Sequence, residues 1–256
     1  MRVALLQMDL AWEDVEENHR RSLRLATEAS KGGARLAVLP EMFSTGFSMA
    51  PGRVAQPEGG ASETFLRETA ASLGIWLLAS VPEAGQPKPR NVALLVSPNG
   101  AVTRYAKIHP FTFGGEARHY AHGERVVTAT VEGVRVTPFI CYDLRFPEPF
   151  RLAARDTDVY AVIANWPDSR REHWRALLRA RAIENQAYVI GVNRAGEGGG
   201  LSYVGDSALI DPMGEVLAEA GPGETVLFGE ISPALVSQMR ARFPALEDVR
   251  PDSYKR

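Results

Sequence analysis

The sequence contains a single cysteine, Cys141, among its 256 residues. One thiol cannot form a disulfide within the chain, which fits a reducing compartment. The chain also lacks any apolar run that approaches the length of a membrane span. The apolar run after Met1 is too short for a secretory signal, because it meets Asp9 at once. We therefore expect a cytoplasmic protein.

An excess of charge of either sign is also missing. The 29 basic and 31 acidic residues leave a formal net charge of −2, so no overall field favours nucleic acid or a membrane surface. The arginines between Arg170 and Arg181 are spaced as on one solvated helix rather than as a nucleic-acid patch. We expect neither nucleic acid nor a membrane as a partner.

Two common kinds of site lack their patterns. The glycines between Gly196 and Gly200 have neither the lysine nor the helix start of a phosphate-binding loop, and they indicate a flexible turn. His109, His119 and His122 do not have the spacing of a zinc site. A cysteine–histidine pair stays open, because sequence position does not exclude these three histidines or His173.

The chain is rich in short strand patterns that alternate with helical ones. Predicted strands cover residues 2–8, 35–39, 75–81, 91–97, 101–106, 126–131, 134–139, 159–164, 188–193, 206–211, 215–219 and 225–230. Predicted helices cover residues 13–30, about 65–73, 148–155, 172–186 and 232–242. Residues 44–60, 82–89 and 108–125 are expected to be loops or turns. Strands that occur both in βαβ units and in hairpins favour one α/β domain of mixed sheets with helices on the outer faces.

Three reactive side chains lie at or just after the ends of predicted buried strands: Glu41, Lys107 and Cys141. Ligand sites of layered α/β folds gather at the carboxyl ends of strands, so we expect these three to converge. Cys141 stands between a strand and the helix that Pro147 can open, where free backbone N–H groups would lower a thiol pKa and hold an oxyanion. A lone cysteine can also be an inert core residue.

The three groups form a coherent chemical set. A free thiol has a pKa of about 8.5, so a base that takes its proton makes it a better nucleophile at neutral pH. Glu41 could take that proton and return one to a departing amine. Lys107 could stabilise the thiolate and donate to an oxyanion, a role worth roughly 3 kcal/mol per donor. The backbone N–H of Tyr142 is a second oxyanion donor, and Glu116 could keep Lys107 charged.

Each of these residues has a plainer alternative. Glu41 could cap a helix or lie on a rim, Lys107 could be an ordinary lysine at a strand end, and Glu116 could be solvated. The joint pattern is what favours catalysis.

The same segments resemble the nitrilase (carbon–nitrogen hydrolase) superfamily, and most closely its omega-amidase branch. The signature segments that carry the resemblance are Leu39-Pro40-Glu41-Met42-Phe43, Tyr105-Ala106-Lys107-Ile108-His109 and Ile140-Cys141-Tyr142-Asp143-Leu144-Arg145-Phe146-Pro147-Glu148. Further matching segments are Asn165-Trp166-Pro167, His173-Trp174 and Ala180-Arg181-Ala182-Ile183-Glu184-Asn185-Gln186.

The resemblance implies a four-layer αββα sandwich. It covers residues 1–235 as a carbon–nitrogen hydrolase domain, and leaves residues 236–256 as a helix end and tail that could pack on a partner subunit. It implies a homodimer or larger assembly that pairs near residues 146–151 and part of the helix at 172–186. It also implies acyl transfer, in which Cys141 attacks an amide, ammonia leaves and water hydrolyses the thioester, with catalytic roles for Glu41, Lys107 and Glu116. Neither a cofactor nor a metal is implied.

The resemblance further implies a small amide substrate that carries a carboxylate, such as 2-oxoglutaramate or 2-oxosuccinamate. Arg145 and Arg170 are the candidates to bind that carboxylate. Arg145 could instead pair with Asp143 or Glu148, and Arg170 could be solvated. Phe43 and Trp166 are the candidate pocket walls, although both could be core aromatics. A nitrile, an N-carbamoyl amine or another small amide is the alternative substrate class.

Overall fold

The structure is a computed structural model, which describes residues 1–254. The strands are β1 (Arg2–Gln7), β2 (Leu36–Val38), β3 (Trp76–Glu83), β4 (Arg90–Val96), β5 (Val102–Ala106), β6 (Ala129–Val131), β7 (Val134–Ile140), β8 (Val159–Ala164), β9 (Tyr188–Asn193), β10 (Ala195–Gly198), β11 (Leu201–Val204), β12 (Ala208–Ile210), β13 (Val216–Glu219) and β14 (Thr225–Glu230).

The helices are α1 (Val15–Lys31), α2 (Pro51–Val54), α3 (Ala61–Leu73), α4 (Glu116–His119), α5 (Pro147–Ala153), α6 (Arg171–Asn185) and α7 (Pro233–Arg242). Short 3-10 turns cover Thr112–Gly114, Cys141–Arg145, Ala154–Asp156, Asp168–Arg170 and Pro251–Tyr254. Within residues 1–254 no helix is long and apolar enough to cross a membrane.

Two six-stranded mixed sheets form the centre of the molecule. The first has the order β14-β1-β2-β3-β4-β5 and the second the order β13-β12-β9-β8-β7-β6. The central strands β1, β2 and β3 are parallel, as are β7, β8 and β9, and the edge pairings are antiparallel. Parallel strands whose connections are helices need cover on the face away from the other sheet, which the helices provide.

The alternation of side chains along β1 shows how the layers are held. Val3 and Leu5 point into a core shared with the second sheet, whereas Ala4 and Leu6 point into a core shared with α1 and α3. The helix α6 packs on the outer face of the second sheet through buried residues such as Trp174. The predicted four-layer αββα sandwich with helices on the outer faces is thereby confirmed.

Helix ends follow local chemistry. Asp14 caps α1 by accepting the Glu17 N–H at 3.0 Å, and Glu16 and Glu17 place acidic charge in the first turn. Gly74 ends α3 in the left-handed conformation with φ of 67°, as the sequence predicts.

Several local predictions were wrong. Pro82 and Glu83 extend β3 instead of starting a turn, since Pro82 pairs with Asn91 while its carbonyl accepts from Gln56. The predicted loop at 44–60 contains α2, and that at 108–125 contains α4. The glycines around Gly199 form the turn of the hairpin between β10 and β11, a pairing the sequence did not indicate.

The C-terminal segment contacts its own chain. The expected boundary between residues 235 and 236 falls inside α7. Beyond this helix, Gln186 donates to the Phe243 carbonyl at 2.7 Å and Arg155 pairs with Glu247 at 2.5 Å. Packing of residues 236–254 on a partner stays a prediction, and residues 255–256 lie outside the described residues.

Candidate active site

Glu41, Lys107, Glu116 and Cys141 come from four different elements and meet at one place between the two sheets. Glu41 follows β2, Lys107 follows β5, Cys141 follows β7 and Glu116 begins α4. The Lys107 Nζ lies 2.9 Å from a Glu41 oxygen and 2.8 Å from a Glu116 oxygen. All three charged side chains are buried. Because both sheets end at this edge, strand ends that are far apart in sequence deliver these side chains to one place.

Both oxygens of Glu41 are occupied. The first accepts from Lys107 and from the Asn91 amide at 2.8 Å. The second accepts the backbone N–H of Asn165 at 2.8 Å, while the Asn165 side chain donates to the Glu41 carbonyl at 2.6 Å. A buried carboxylate needs such donors, since an uncompensated one costs several kcal/mol.

Glu116 is the second carboxylate that contacts the Lys107 ammonium. Besides Lys107 it accepts the Phe111 N–H at 2.5 Å, and Asn91 lies 3.4 Å from it. Burial raises the pKa of Glu116 above its usual value, and the Lys107 charge opposes that shift.

Lys107 is held as an ammonium. Burial alone would lower its pKa, but the carboxylates of Glu116 and Glu41 outweigh burial and raise the pKa of Lys107 above its usual value. The ring of Phe47 covers this ammonium with its centroid 5.0 Å from Nζ.

Cys141 stands at the sharp turn after β7 with a positive φ of 47°, a conformation that costs a non-glycine residue about 1 kcal/mol or more. Its side chain is 9% exposed and faces the Asn165 carbonyl at 4.0 Å. Burial and the Glu41 charge raise the pKa of the Cys141 thiol well above its usual value, while Lys107 lowers it. The expectation of a thiol pKa lowered by its surroundings was therefore wrong, because burial outweighs Lys107.

The thiol opens onto a cavity of about 310 Å³. Trp166, Arg145 and Arg170 line this cavity. Tyr142, which follows Cys141 in a 3-10 turn, lines it as well. The first N–H groups of such a turn lack partners within the turn and can face an anion. A mainly apolar cavity that also contains two guanidinium groups therefore lies against the thiol.

Phe43 does not belong to this cavity, so its expected place in the pocket wall was wrong. It is fully buried and stacks on Phe65 and His19 beneath α1 and α3. The turn that begins at Met42 carries the chain past the sheet, so Phe47 lines the cavity in its place.

The two arginines rest on aromatic rings. The Arg145 guanidinium lies 4.8 Å from the Trp166 ring centroid and donates to His173 at 3.2 Å. The Arg170 guanidinium lies 5.3 Å from the ring centroid of Phe111. No ion pair joins either arginine to a carboxylate within residues 1–254, and the Asp143 carboxylate accepts from other groups instead.

The histidine alternatives find no support in this geometry. His109 Nδ1 lies 2.8 Å from an Asp143 oxygen, and His173 contacts Arg145. The described part of the chain contains no group of three or more histidine, cysteine or acidic side chains that could hold a metal ion.

Sequence reasoning missed several residues of the site. Asn91 binds both carboxylates, yet in sequence it only begins a predicted hairpin strand. Four more residues line the apolar rim of the cavity, and none carries a sequence signal for it. Trp12 and Met49 come from loops, whereas Leu201 and Tyr203 come from β11.

The comparisons with known proteins agree with this architecture. A family model described as carbon–nitrogen hydrolase matches residues 2–241. The chain is 39% identical to an omega-amidase YafV of Yersinia enterocolitica (97% of this chain, 96% of the relative) and 32% identical to a 2-oxoglutaramate amidase of Bacillus subtilis (98% of each). The structure matches XC1258 of Xanthomonas campestris, a CN-hydrolase superfamily protein solved with an arsenic adduct in its active site. That match has a TM-score of 0.93 at 38% identity, over 98% of this chain and 97% of the other.

The family match and the amidase relatives identify a hydrolase that acts on amide carbon–nitrogen bonds. The chain belongs to the carbon–nitrogen hydrolase family.

Proposed function

We propose that the protein is an omega-amidase, which hydrolyses the terminal amide of a small keto acid such as 2-oxoglutaramate or 2-oxosuccinamate. The observation that carries the proposal is the Lys107 ammonium held between Glu41 and Glu116 beside the Cys141 thiol. The relatives named omega-amidase and 2-oxoglutaramate amidase support the choice of substrate.

In the first half-reaction the Cys141 sulfur attacks the amide carbon while its proton passes to Glu41. Ionising the thiol to solvent is costly because the site is buried, but a transfer to Glu41 leaves the net charge of the buried group unchanged. The oxyanion that forms accepts from the Lys107 ammonium and from the Tyr142 N–H. Glu41 then returns the proton to the nitrogen as the carbon–nitrogen bond breaks, so ammonia leaves and a thioester remains.

In the second half-reaction water attacks the thioester carbon. Glu41 takes a proton from that water, the same donors hold the second oxyanion, and the proton returns to the sulfur as the carbon–sulfur bond breaks. The products are a carboxylic acid and the free thiol. Glu116 takes no proton in this scheme and keeps Lys107 charged and in place.

The carboxylate of the substrate binds to Arg145 and Arg170. Both guanidiniums line the cavity and both rest on aromatic rings, which leaves their N–H groups available. Trp166 forms the wall beside Arg145. Two cavity arginines that form no ion pair with a carboxylate of residues 1–254 favour an anionic amide over a neutral amide or a nitrile.

The test measures ammonia released from 2-oxoglutaramate by the wild-type protein and by Cys141→Ala. We expect turnover by the wild type, a mass adduct on Cys141 during turnover, and a loss of at least about 10⁴-fold in the variant, since the nucleophile carries the covalent route. Circular dichroism checks whether the variant is folded. A panel of nitriles, N-carbamoyl amines and neutral amides runs in parallel. Turnover of nitriles without turnover of the keto-acid amide would establish the alternative substrate class.

We further infer a cytoplasmic homodimer or larger assembly. A reducing compartment suits a protein whose nucleophile is its only thiol. The dimer face is the outer side of α5 with part of α6, where Leu152 is 77% exposed beside an apolar groove lined by Leu246 and Val249.

A further inference from the structure

We propose that Asp143 is a positioning residue, which fastens the turn of Cys141 to the strand end that carries Lys107 across the two sheets. The inference rests on the proposed function, in which Cys141 is the nucleophile and Lys107 is an oxyanion donor. Asp143 itself faces neither the cavity nor the thiol, so it acts through its neighbours.

Asp143 gathers four donors on two oxygens. One oxygen lies 2.7 Å from the Tyr105 hydroxyl and 3.1 Å from the Ile140 N–H. The other lies 2.9 Å from the His109 N–H and 2.8 Å from His109 Nδ1. The carboxylate is fully buried, and its contacts with Tyr105 and Ile140 are shielded from competing water, whereas His109 is partly exposed.

The positions of these donors show which two segments the Asp143 carboxylate connects. Tyr105 and His109 lie two residues before and two residues after Lys107, at the end of β5 in the first sheet. Ile140 directly precedes Cys141, at the end of β7 in the second sheet. One carboxylate therefore ties both flanks of the lysine to the residue before the nucleophile.

Two further contacts stabilise the same arrangement of His109, Asp143 and Phe146. The His109 ring stacks on Phe146 with centroids 3.8 Å apart and planes 9° apart. The Phe146 N–H donates to the Asp143 carbonyl at 3.0 Å, which ends the nucleophile turn. His109 therefore contacts two residues of the segment that carries Cys141, the Asp143 carboxylate and the Phe146 ring.

The backbone at Cys141 needs such support. A non-glycine residue with φ of 47° relaxes unless its surroundings hold it. The Ile140 N–H bond to Asp143 and the pairing of Ile140 with β8 hold the chain before Cys141, and the Phe146 N–H bond to the Asp143 carbonyl holds it at the end of the turn. A relaxed turn would move the thiol away from the Lys107 ammonium, and a displacement of about 1 Å in an active site can cost roughly 10²-fold in rate.

The experiment compares Asp143→Asn with Asp158→Asn. Asp158 is also a buried aspartate with several donors, from Arg135, but it directly precedes β8 and lies beside the start of β7, the end away from Cys141. We expect both variants to lose thermal stability. Only Asp143→Asn should lower kcat for the keto-acid amide, by roughly 10²-fold with KM changed less than about threefold, because the carboxamide leaves two donors unpaired and frees the turn.

A second readout needs no substrate. Iodoacetamide alkylation of Cys141 is followed against pH by mass spectrometry. Because Lys107 stabilises the thiolate, we expect the pH at which alkylation is half-maximal, its midpoint, to rise by about one unit in Asp143→Asn. In Asp158→Asn this midpoint should equal that of the wild type. If the wild type hydrolysed no amide, the proposed function would fail while this midpoint would still decide the role of Asp143.

Two milder variants serve if Asp143→Asn does not fold. Tyr105→Phe and His109→Gln each remove one side-chain donor and keep the carboxylate. We expect each to lower kcat about three- to tenfold, and the double variant to shift the alkylation midpoint upward. An unchanged kcat and midpoint in the folded variants, or equal losses in Asp158→Asn, would overturn the proposal.

Discussion

At the scale of single residues, the site combines a neutral thiol with one ammonium and two carboxylates in a buried space. Burial makes release of the Cys141 proton to solvent costly, but a transfer to Glu41 moves that proton only within the cluster. Lys107 stays charged because two carboxylates outweigh the cost of its burial. Under the proposed mechanism the thiolate would form only as it attacks an electrophilic carbon.

Removal of the Glu116 charge tests its proposed role. We expect Glu116→Gln to lower kcat roughly 10²-fold, because Lys107 loses one of the two charges that hold it as an ammonium and in position. Ammonia release at saturating substrate measures the effect. Glu63→Gln is the matched control, since Glu63 is also buried but pairs with Arg104 and Arg67 instead. Equal losses in both variants would contradict a specific role for Glu116.

The two cavity arginines make a prediction about affinity. We expect Arg145→Met and Arg170→Met each to raise KM for 2-oxoglutaramate about tenfold or more, since a hydrogen bond to a charged group is worth about 1.5–3 kcal/mol. Steady-state kinetics should show little change for a neutral amide of similar length. Arg179→Met, on α6 and outside the cavity, is the control. A similar KM increase for the neutral amide would argue against carboxylate binding.

At the scale of elements, the strands and their ends decide where chemistry can occur. β2, β5 and β7 each deliver one polar side chain at the carboxyl end, and the loop around Phe47 and the strand β11 with Tyr203 line the space beyond them. Apart from α4, which begins at Glu116, the helices supply none of the four clustered side chains. Contacts that stabilise a helix should therefore be separable from contacts that serve catalysis.

The cap of α1 allows that separation to be tested. We expect Asp14→Ala to lower the free energy of unfolding by about 1 kcal/mol, because the Glu17 N–H loses its side-chain acceptor. Urea denaturation measures the change. Glu16→Ala in the same first turn is the control, and it should cost only a few tenths of a kcal/mol. In both variants kcat should equal that of the wild type, and a lower value would link this helix to the site.

At the scale of the whole molecule, two sheets share one core and the nucleophile turn lies at their common edge. On the outer face of α5, near that turn, a large apolar side chain, Leu152, is 77% exposed. A partner on this face would pack directly behind the turn that ends at Phe146. Assembly and activity would then be coupled.

We expect Leu152→Glu to shift the protein from dimer to monomer and to lower activity, since a charge buried in an apolar interface costs several kcal/mol. Light scattering coupled to size-exclusion chromatography gives the mass. Leu217→Glu, at an exposed leucine of β13, is the control and should leave the mass unchanged. A wild type that runs as a monomer would contradict the proposed assembly.

Much of this architecture could be predicted from the sequence, because the strongest signals are local. The strands Tyr188–Asn193 and Thr225–Glu230 have the predicted bounds, and α6 differs from its prediction by one residue at each end. Continuous apolar runs bounded by polar residues are typical of buried strands. The position of Glu41, Lys107 and Cys141 after such strands was visible for the same reason.

Only the tertiary structure decided which groups touch. It placed Phe47 rather than Phe43 at the cavity, and it brought Asn91 to both carboxylates. It also reversed the expected direction of the Cys141 pKa shift. Strand patterns and chain order follow from neighbours in the sequence, whereas burial, charge pairing and the path of a loop depend on residues many positions away, which meet only when the two sheets pack.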